Sequence, residues 1–240
     1  MNPARDFCFY VSVWVVVLVG GFTCPAQIAG PAPDTQADVI REIDAVERNR
    51  EANLAGYSVT EHYTVKNSHF QMAAEVVVQA AYRRAAGKTY QVQSRSGPPM
   101  LKDRLMDRIL QEEANMSRGS AREQSLITSA NYDMHLSGEE KIGNTRCLEL
   151  DLTPRVRRPH LLRGKVWVDS GNKLVVRIEG QPPVGQSFFA GRPQVVRDYA
   201  AVDGFAFAQR SHAISSGFVQ GKTEVTIIYD NYVVDRDTVR

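Results

Sequence analysis

Alternation of apolar and polar residues is the feature that most limits what this chain can fold into. The clearest case is residues 161–180, LLRGKVWVDSGNKLVVRIEG, where two alternating runs flank the turn sequence SGN. Because a period of two places successive side chains on opposite faces of a strand, this stretch predicts a β-hairpin. Its expected register pairs Trp167 with Val176 and places Trp167 on the same face as Ile178.

The same period recurs along most of the chain. From Gly56 onward, Tyr57, Val59, Tyr63 and Val65 fall on one side of a predicted strand and polar residues on the other. Further strands are predicted at 75–83, 88–94, 205–215 and 223–234, and on both sides of the turn at Gly143-Asn144. Helix remains an alternative for the alanine-rich first of these segments. Short turns between strands favour antiparallel pairing, since a parallel connection needs a long crossover.

Two segments have helical periodicity instead. The first follows Asp34 or Thr35, either of which is a suitable N-cap, and has apolar residues on one face. The second, residues 100–116, has a narrow apolar ridge opposite an almost wholly charged or polar face. An antiparallel sheet with helices gathered on one side is an α+β arrangement, which is the predicted fold class.

The N-terminus has the layout of a secretory signal peptide. One arginine precedes an apolar run at residues 7–22, and small residues follow it. We expect a cleaved signal peptide at 1–26, a spacer at 27–33 and a single domain at 34–240. An uncleaved anchor is the alternative, although the apolar run is shorter than a membrane-spanning helix prefers. Lipidation at Cys24 also stays open, but the residues before it do not match a lipidation box.

Cysteine usage limits how the exported chain can be stabilised. Only Cys147 lies outside the predicted leader and its immediate surroundings. No intrachain disulfide is then expected, so the domain must be stabilised by burial of a hydrophobic core.

No reaction centre can be assembled from the residues. The five histidines are dispersed without metal-ligand spacing, and neither a nucleophile elbow nor a phosphate-binding or dinucleotide-binding glycine motif is present. We therefore expect no catalytic residues, no metal and no cofactor. A formal net charge of +2 also gives no general case for a nucleic-acid partner.

A basic cluster at residues 155–165 is the strongest local charge feature. A solvated loop is one interpretation, and contact with an anionic lipid headgroup or an acidic partner surface is the other. The arginines available for such a contact are Arg155, Arg157, Arg158 and Arg163.

The layout resembles the outer-membrane lipoprotein carrier superfamily, the LolA/LolB-like periplasmic proteins. The residues that carry this resemblance are GYSVTEHYTV, GEEKIGNTRCLELDLTP followed by LRGKVWVDSGNKLVVRIEG, and the closing VDGFAFAQRSHAISSGFVQGKTEVTIIYDNY. It implies a strongly curved antiparallel sheet, an unclosed β-barrel, with a helical lid and an apolar cavity for acyl chains. It also implies a periplasmic address and an arginine that holds the lid, for which Arg83, Arg84 and Arg95 are candidates.

The resemblance favours a monomeric, non-enzymatic carrier that binds lipid acyl chains or a lipoprotein. The alternative is a periplasmic sensor or scaffold that uses the same fold to bind a protein partner. The helix at 100–116 is the candidate lid. The cavity candidates are Tyr57, Tyr63, Val76, Leu101, Leu105, Ile109, Leu150, Trp167, Val176, Phe205 and Phe207. For Trp167 a covered core remains the alternative to a cavity wall.

Overall fold

Ten strands form one antiparallel sheet in the computed structural model, which describes residues 35–69, 71–185, 192–217 and 221–236. The strands are β1 (Leu54–Asn67), β2 (Met72–Arg83), β3 (Gly87–Ser96), β4 (Tyr132–Ile142), β5 (Thr145–Pro154), β6 (Arg163–Asp169), β7 (Val175–Gln181), β8 (Gln194–Val202), β9 (Phe205–Gly217) and β10 (Gly221–Arg236). The predicted signal peptide and spacer lie outside the described residues, so the domain division stays a prediction.

Few helices accompany the sheet. Helix α1 (Gln36–Asn53) begins after Thr35, whose side-chain oxygen accepts a hydrogen bond from the Asp38 amide, as expected for an N-cap. A π-helical turn (Met100–Leu105) leads directly into α2 (Met106–Met116), and α3 (Gly119–Glu123) follows. None of the helices in the described ranges combines the length and the apolar character needed to cross a membrane.

The sheet is curved and unclosed. Its strand order is β3-β2-β1-β10-β9-β8-β7-β6-β5-β4, and the two end strands do not pair in the described residues. A flat sheet of this width would separate its edges by about 43 Å at roughly 4.8 Å per strand. Lys88 at one edge and Tyr132 at the other nevertheless line the same cavity. The predicted α+β fold class, a LolA-like unclosed barrel, is confirmed.

Strand β1 follows its predicted alternation. Val59, Tyr63 and Val65 are buried, whereas His62 and Lys66 are exposed. The neighbouring β2 is a strand throughout and pairs antiparallel with β1, so the helical alternative for its alanine-rich segment is wrong. Both predictions rest on side-chain periodicity. For β2, where that periodicity allows a helix or a strand, pairing with β1 fixes the strand.

Two main core clusters lie under the helices. One joins β1, β2 and β10 with the 100–116 helical segment, and the other joins α1 with strands β4 to β7. Val39 and Ile43 provide the buried contacts of α1, and Met106 and Ile109 are among the buried residues of α2. The space between these two covered regions is where a cavity opens.

The register predicted for the β6–β7 hairpin is wrong. Trp167 lies opposite Arg177, and Val168 lies opposite Val175, so Val176 is the extra residue of a β-bulge. Val168 belongs to the core cluster under α1, which places Trp167 on the other face of β6. There the indole Nε1 donates a hydrogen bond to Glu140 Oε2 at 2.9 Å.

Candidate functional site

A cavity of about 480 Å³ lies on the concave face of the sheet. Its size is within the range of roughly 300–1,000 Å³ that is usual for ligand pockets. Small residues on β9 create part of this space, since Ala208, Ser211 and Ala213 all line it. Larger side chains at these positions would fill the volume that the curved sheet encloses.

Much of the cavity lining is apolar. The aliphatic lining residues come from helix α2, from the loops before β4 and β6, and from strands β7, β8 and β10. They are Ile109, Leu126, Ile127, Leu162, Val175, Ile178, Val195, Val225 and Ile227. A surface of this kind can accept an alkyl chain without leaving polar groups unpaired.

An aromatic group forms another part of the lining. The rings of Tyr57 and Tyr82 stack with centroids 5.2 Å apart, and Phe207 meets Tyr57 edge-on at 5.1 Å. Tyr232 lies 4.7 Å from Phe207 and donates its hydroxyl hydrogen to the Ala208 carbonyl at 2.7 Å. These contacts satisfy the one polar atom of Tyr232 and leave ring surface toward the cavity.

A buried charged cluster interrupts the apolar lining. We define it as Glu61, Lys88, Glu113 and Arg197, which come from β1, β3, α2 and β8 and all line the cavity. Lys88 Nζ lies 2.6 Å from Glu61 Oε1 and 3.1 Å from Glu113 Oε2. The Glu61 side chain is fully buried, so this carboxylate has no bulk solvent to stabilise its charge.

Tyrosine hydroxyls also hydrogen-bond the two carboxylates. The Tyr63 hydroxyl lies 2.7 Å from Glu61 Oε2 and 3.3 Å from Glu113 Oε2. The Tyr90 hydroxyl donates to Glu113 Oε2 at 2.7 Å. The two acids are therefore held in fixed positions, as is usual for charges that remain buried.

The pKa values of the two acids in the cluster shift in opposite directions. Burial raises the pKa of Glu61, although Lys88 opposes the shift. Burial also disfavours ionised Glu113, but Lys88 and Tyr90 lower the pKa of this carboxyl below its ordinary value. The pKa of Lys88 is raised well above its ordinary value, because Glu113 and Glu61 outweigh burial. These shifts favour the charged forms of Lys88 and Glu113.

A second polar group lies where α1 meets the cavity. Arg122 pairs with Glu51 at 2.5 Å and also hydrogen-bonds the Tyr82 hydroxyl. Arg50 Nη1 donates to the Ala206 carbonyl at 2.6 Å. These contacts attach α1 and α3 to the sheet, and both arginines also line the cavity.

The predicted cavity residues fall into three groups. Tyr57, Ile109 and Phe207 line the cavity. The residues that lie in or against the hydrophobic clusters without lining it are Tyr63, Val76, Leu101, Leu105, Leu150 and Phe205. Trp167 and Val176 lie outside the lining, at the bulged hairpin.

The charged cluster is absent from the sequence-based prediction, although two of its members carry a local signal. Glu61 falls at the same alternate positions as Val59 and Tyr63, which predicts that it points inward. Glu113 follows Ile109 by four residues and so continues the apolar ridge of the helix. An acidic residue on each buried face indicates a buried charge that needs a partner.

The arginine that contacts the candidate lid is Arg95. One of its guanidinium nitrogens donates to the Lys102 carbonyl at 2.9 Å, and the other lies 2.6 Å from Asp107 Oδ1. Arg83 pairs instead with Asp235, and Arg84 donates to the Leu54 carbonyl. Among the three candidates, Arg95 therefore binds the 100–116 segment to the sheet.

The basic cluster lies in the loop between β5 and β6 and at the start of β6. Arg155 pairs with Asp133 at 2.7 Å, and Arg157 donates to the Pro183 carbonyl at 3.3 Å. Arg157 and Arg163 line an open surface groove of about 690 Å³ that also includes Arg192. This groove shares no lining residue with the cavity.

Metal chemistry has no visible support in the described ranges. Within residues 35–69, 71–185, 192–217 and 221–236, no three His, Cys, Asp or Glu side chains come together in a way that could hold a metal ion. The cavity itself places an apolar surface beside the charged cluster.

Comparison with solved structures gives distant similarities. A LolA superfamily protein from Nitrosomonas europaea shares 12% identity over 84% of this chain and 94% of its own, with a TM-score of 0.46. A putative outer membrane lipoprotein-sorting protein domain from Vibrio parahaemolyticus shares 11% identity over 82% and 93%, with a TM-score of 0.42. A DUF1329 family protein from Desulfovibrio piger shares 12% identity over 82% and 93%, with a TM-score of 0.40.

These similar structures include proteins of the superfamily that the sequence resembles. No protein-family model matches the chain, and no curated protein matches it significantly.

Proposed function

We propose that the protein is a non-enzymatic periplasmic carrier that holds lipid acyl chains, free or attached to a lipoprotein, in the cavity. The observation that carries this proposal is the cavity of about 480 Å³ whose lining is largely aliphatic and aromatic. Tyr57, Ile109 and Phe207 are proposed as chain-contacting residues of its wall.

The driving force for such binding is the transfer of methylene groups out of water. Each methylene contributes about 0.8 kcal/mol, so a long chain has on the order of 10 kcal/mol of gross driving force. Part of this is offset by ordering the chain and by moving the segments that cover the cavity. A carrier needs this offset, because its cargo must also be released.

The 100–116 segment is proposed as the lid. Ile109, Glu113 and Met116 lie in the cavity lining, so movement of α2 would open the cavity. Arg95 connects this segment to β3 through contacts that are partly exposed. Opening therefore breaks the partly exposed Arg95 contacts and also moves Met106, Ile109 and Glu113 away from their buried partners.

The basic cluster is proposed as a contact for anionic headgroups at a membrane surface. Arg157, Arg158 and Arg163 are the members without a salt bridge to a described carboxylate, whereas Arg155 is paired with Asp133. Such contacts are weakened by salt, because exposed charges are screened within about 8 Å at physiological ionic strength.

Displacement of a fluorescent fatty acid tests the carrier proposal. Ala213→Trp places a large ring in the cavity and should abolish probe binding, since Ala213 is one of the small lining residues. Ala201→Trp is the matched control, because Ala201 is exposed on β8 and lies outside the lining. Equal probe binding by the wild-type protein and a folded Ala213→Trp variant would contradict the proposal.

A further inference from the structure

Four lysine and arginine side chains of the described residues line the cavity, and three of them have strong acceptors. Lys88 lies against two carboxylates of the charged cluster. Arg122 pairs with Glu51, and Arg50 donates to the Ala206 carbonyl. These three cations therefore serve to hold the walls of the cavity together.

The fourth cation, Arg197, has weaker partners. Its Nε donates to Ser211 Oγ at 3.3 Å, and Tyr199 is a near neighbour that favours its charged form. No carboxylate in the described part of the chain lies within 4.0 Å of it. Since a guanidinium has five N–H donors, several donors remain for a ligand.

Glu113 is the acidic group whose charge acts on Arg197, but it is already occupied. Its Oε2 lies 3.1 Å from Lys88 Nζ, 2.7 Å from the Tyr90 hydroxyl and 3.3 Å from the Tyr63 hydroxyl. All three contacts are made by Oε2, and neither Glu113 oxygen forms a salt bridge with Arg197 within 4.0 Å. Arg197 is thus a charge kept in the cavity without an anion of its own.

The surroundings of Arg197 suit an amphiphilic molecule. On β8 it lies between Val195 and Tyr199, which line the same cavity. Across the sheet it pairs with Ser211, and the small Ala213 follows two residues later on β9. Arg197 therefore lies beside apolar and small residues of the cavity lining.

We propose that Arg197 binds the anionic headgroup, a carboxylate or a phosphate, of the amphiphile whose chain occupies the cavity. This inference rests on the proposed carrier function and narrows its ligands to anionic amphiphiles. The planar guanidinium fork matches the oxygens of either group and can form two parallel hydrogen bonds.

The test compares ligands that differ only in the headgroup. Calorimetry on the purified protein measures binding of decanoate, decyl phosphate, decanol and inorganic phosphate. The wild-type protein should bind the two anionic amphiphiles about tenfold or more tightly than decanol, as expected for hydrogen bonds to a charged group. Inorganic phosphate should bind far more weakly than decyl phosphate, because it lacks the chain.

Substitution of the arginine should remove the headgroup preference. Arg197→Met is expected to bind decanoate and decanol equally, and Arg197→Lys to keep part of the preference. Arg177→Met is the matched control, because Arg177 lies on the neighbouring β7, donates to Asp198 at 2.7 Å and does not line the cavity. Circular dichroism checks that each variant is folded.

Equal binding of decanoate and decanol by the wild-type protein would overturn the inference while leaving the carrier proposal intact. An unchanged preference in folded Arg197→Met would overturn it too. If inorganic phosphate binds as tightly as decyl phosphate, Arg197 belongs to a site for free anions, and the headgroup inference is wrong. Absence of binding by every amphiphile would contradict the proposed function and this inference with it.

Discussion

Removal of the Lys88 ammonium group is expected to destabilise the fold far more than removal of a similar group from the surface. Lys88 bridges Glu61 and Glu113, and its side chain is only 10% exposed. Lys88→Met keeps most of the volume but leaves two acidic groups without their cation. The quantity to measure is the free energy of unfolding in water.

Removing one partner of a buried ion pair costs about 3–5 kcal/mol, because an uncompensated charge stays buried. Two features place Lys88→Met toward the lower end of that range. Burial already raises the pKa of Glu61, so this carboxyl can take up a proton instead of remaining charged. Glu113 is 27% exposed and keeps some contact with water. We expect a loss of about 3 kcal/mol at neutral pH.

The loss should depend on pH with a defined sign. Without Lys88 the folded-state pKa of Glu61 moves further above its unfolded value, so the ionised form destabilises the fold as pH rises above the unfolded value. The difference between wild type and variant should therefore shrink as the pH is lowered toward about 4.5. Adding Glu61→Gln to the variant removes the buried charge and should recover part of the stability.

Lys165→Met is the matched control for this measurement. Lys165 also contacts two acids, Glu149 and Asp151, but its side chain is 44% exposed. An exposed ion pair contributes about 0–1 kcal/mol. Urea denaturation with linear extrapolation gives both values. If Lys88→Met loses no more stability than Lys165→Met, the description of the charged cluster as a buried, mutually dependent unit is wrong.

Three further predictions concern the lid, the half-buried His160 and the hairpin. Arg95→Met should speed dissociation of a fluorescent fatty acid in stopped-flow measurements, because it loosens the 100–116 segment, whereas Arg83→Met should not. Burial lowers the pKa of His160, so the fold loses stability as pH falls below about 6.5; His160→Gln should flatten this loss in melting curves, and the exposed His135 provides the control. Trp167→Phe should cost about 1 kcal/mol of stability, through its lost hydrogen bond, without changing fatty-acid affinity.

Each of these predictions has a clear contrary result. Equal dissociation rates for the Arg95 variant and the wild type would show that the Arg95 contact does not hold the lid closed. A pH dependence that persists unchanged after His160→Gln would assign the acid-induced loss to other groups. Weaker fatty-acid binding by Trp167→Phe would show that the indole contributes to the cavity wall.

Local periodicity explains how much of the fold could be predicted. The alternation in β1 correctly separates the inward-facing Val59, Tyr63 and Val65 from the exposed His62. It follows from backbone geometry alone, so it needs no knowledge of the neighbouring strands. The same alternation places Glu61 on the buried face, so its burial could also have been predicted from the pattern.

The position of Trp167 could not be predicted in this way. A single bulge residue at Val176 shifts the register of β7, and a shift of one residue moves every following side chain to the other face. The turn sequence constrains residues near the loop, but the bulge lies beyond the turn, inside the hairpin. Periodicity carries no information about such an insertion.

The charged cluster depends on contacts between distant parts of the chain. Its members come from β1, β3, α2 and β8, which are adjacent only because the sheet curves. Arg197 in particular lies between Val196 and Asp198 in the sequence, and Val195 and Tyr199 occupy the alternate positions. Which face of β8 is concave is decided by the whole sheet, so its role could not be read from its own segment.

The most direct test of the carrier proposal is a native mass spectrum of the protein purified from cells. We expect added masses that correspond to bound acyl lipids, and we expect them to be lost in Ala213→Trp but kept in Ala201→Trp. An unliganded mass for the wild-type protein, together with no binding of a fluorescent fatty acid, would contradict the claim that the cavity holds acyl chains.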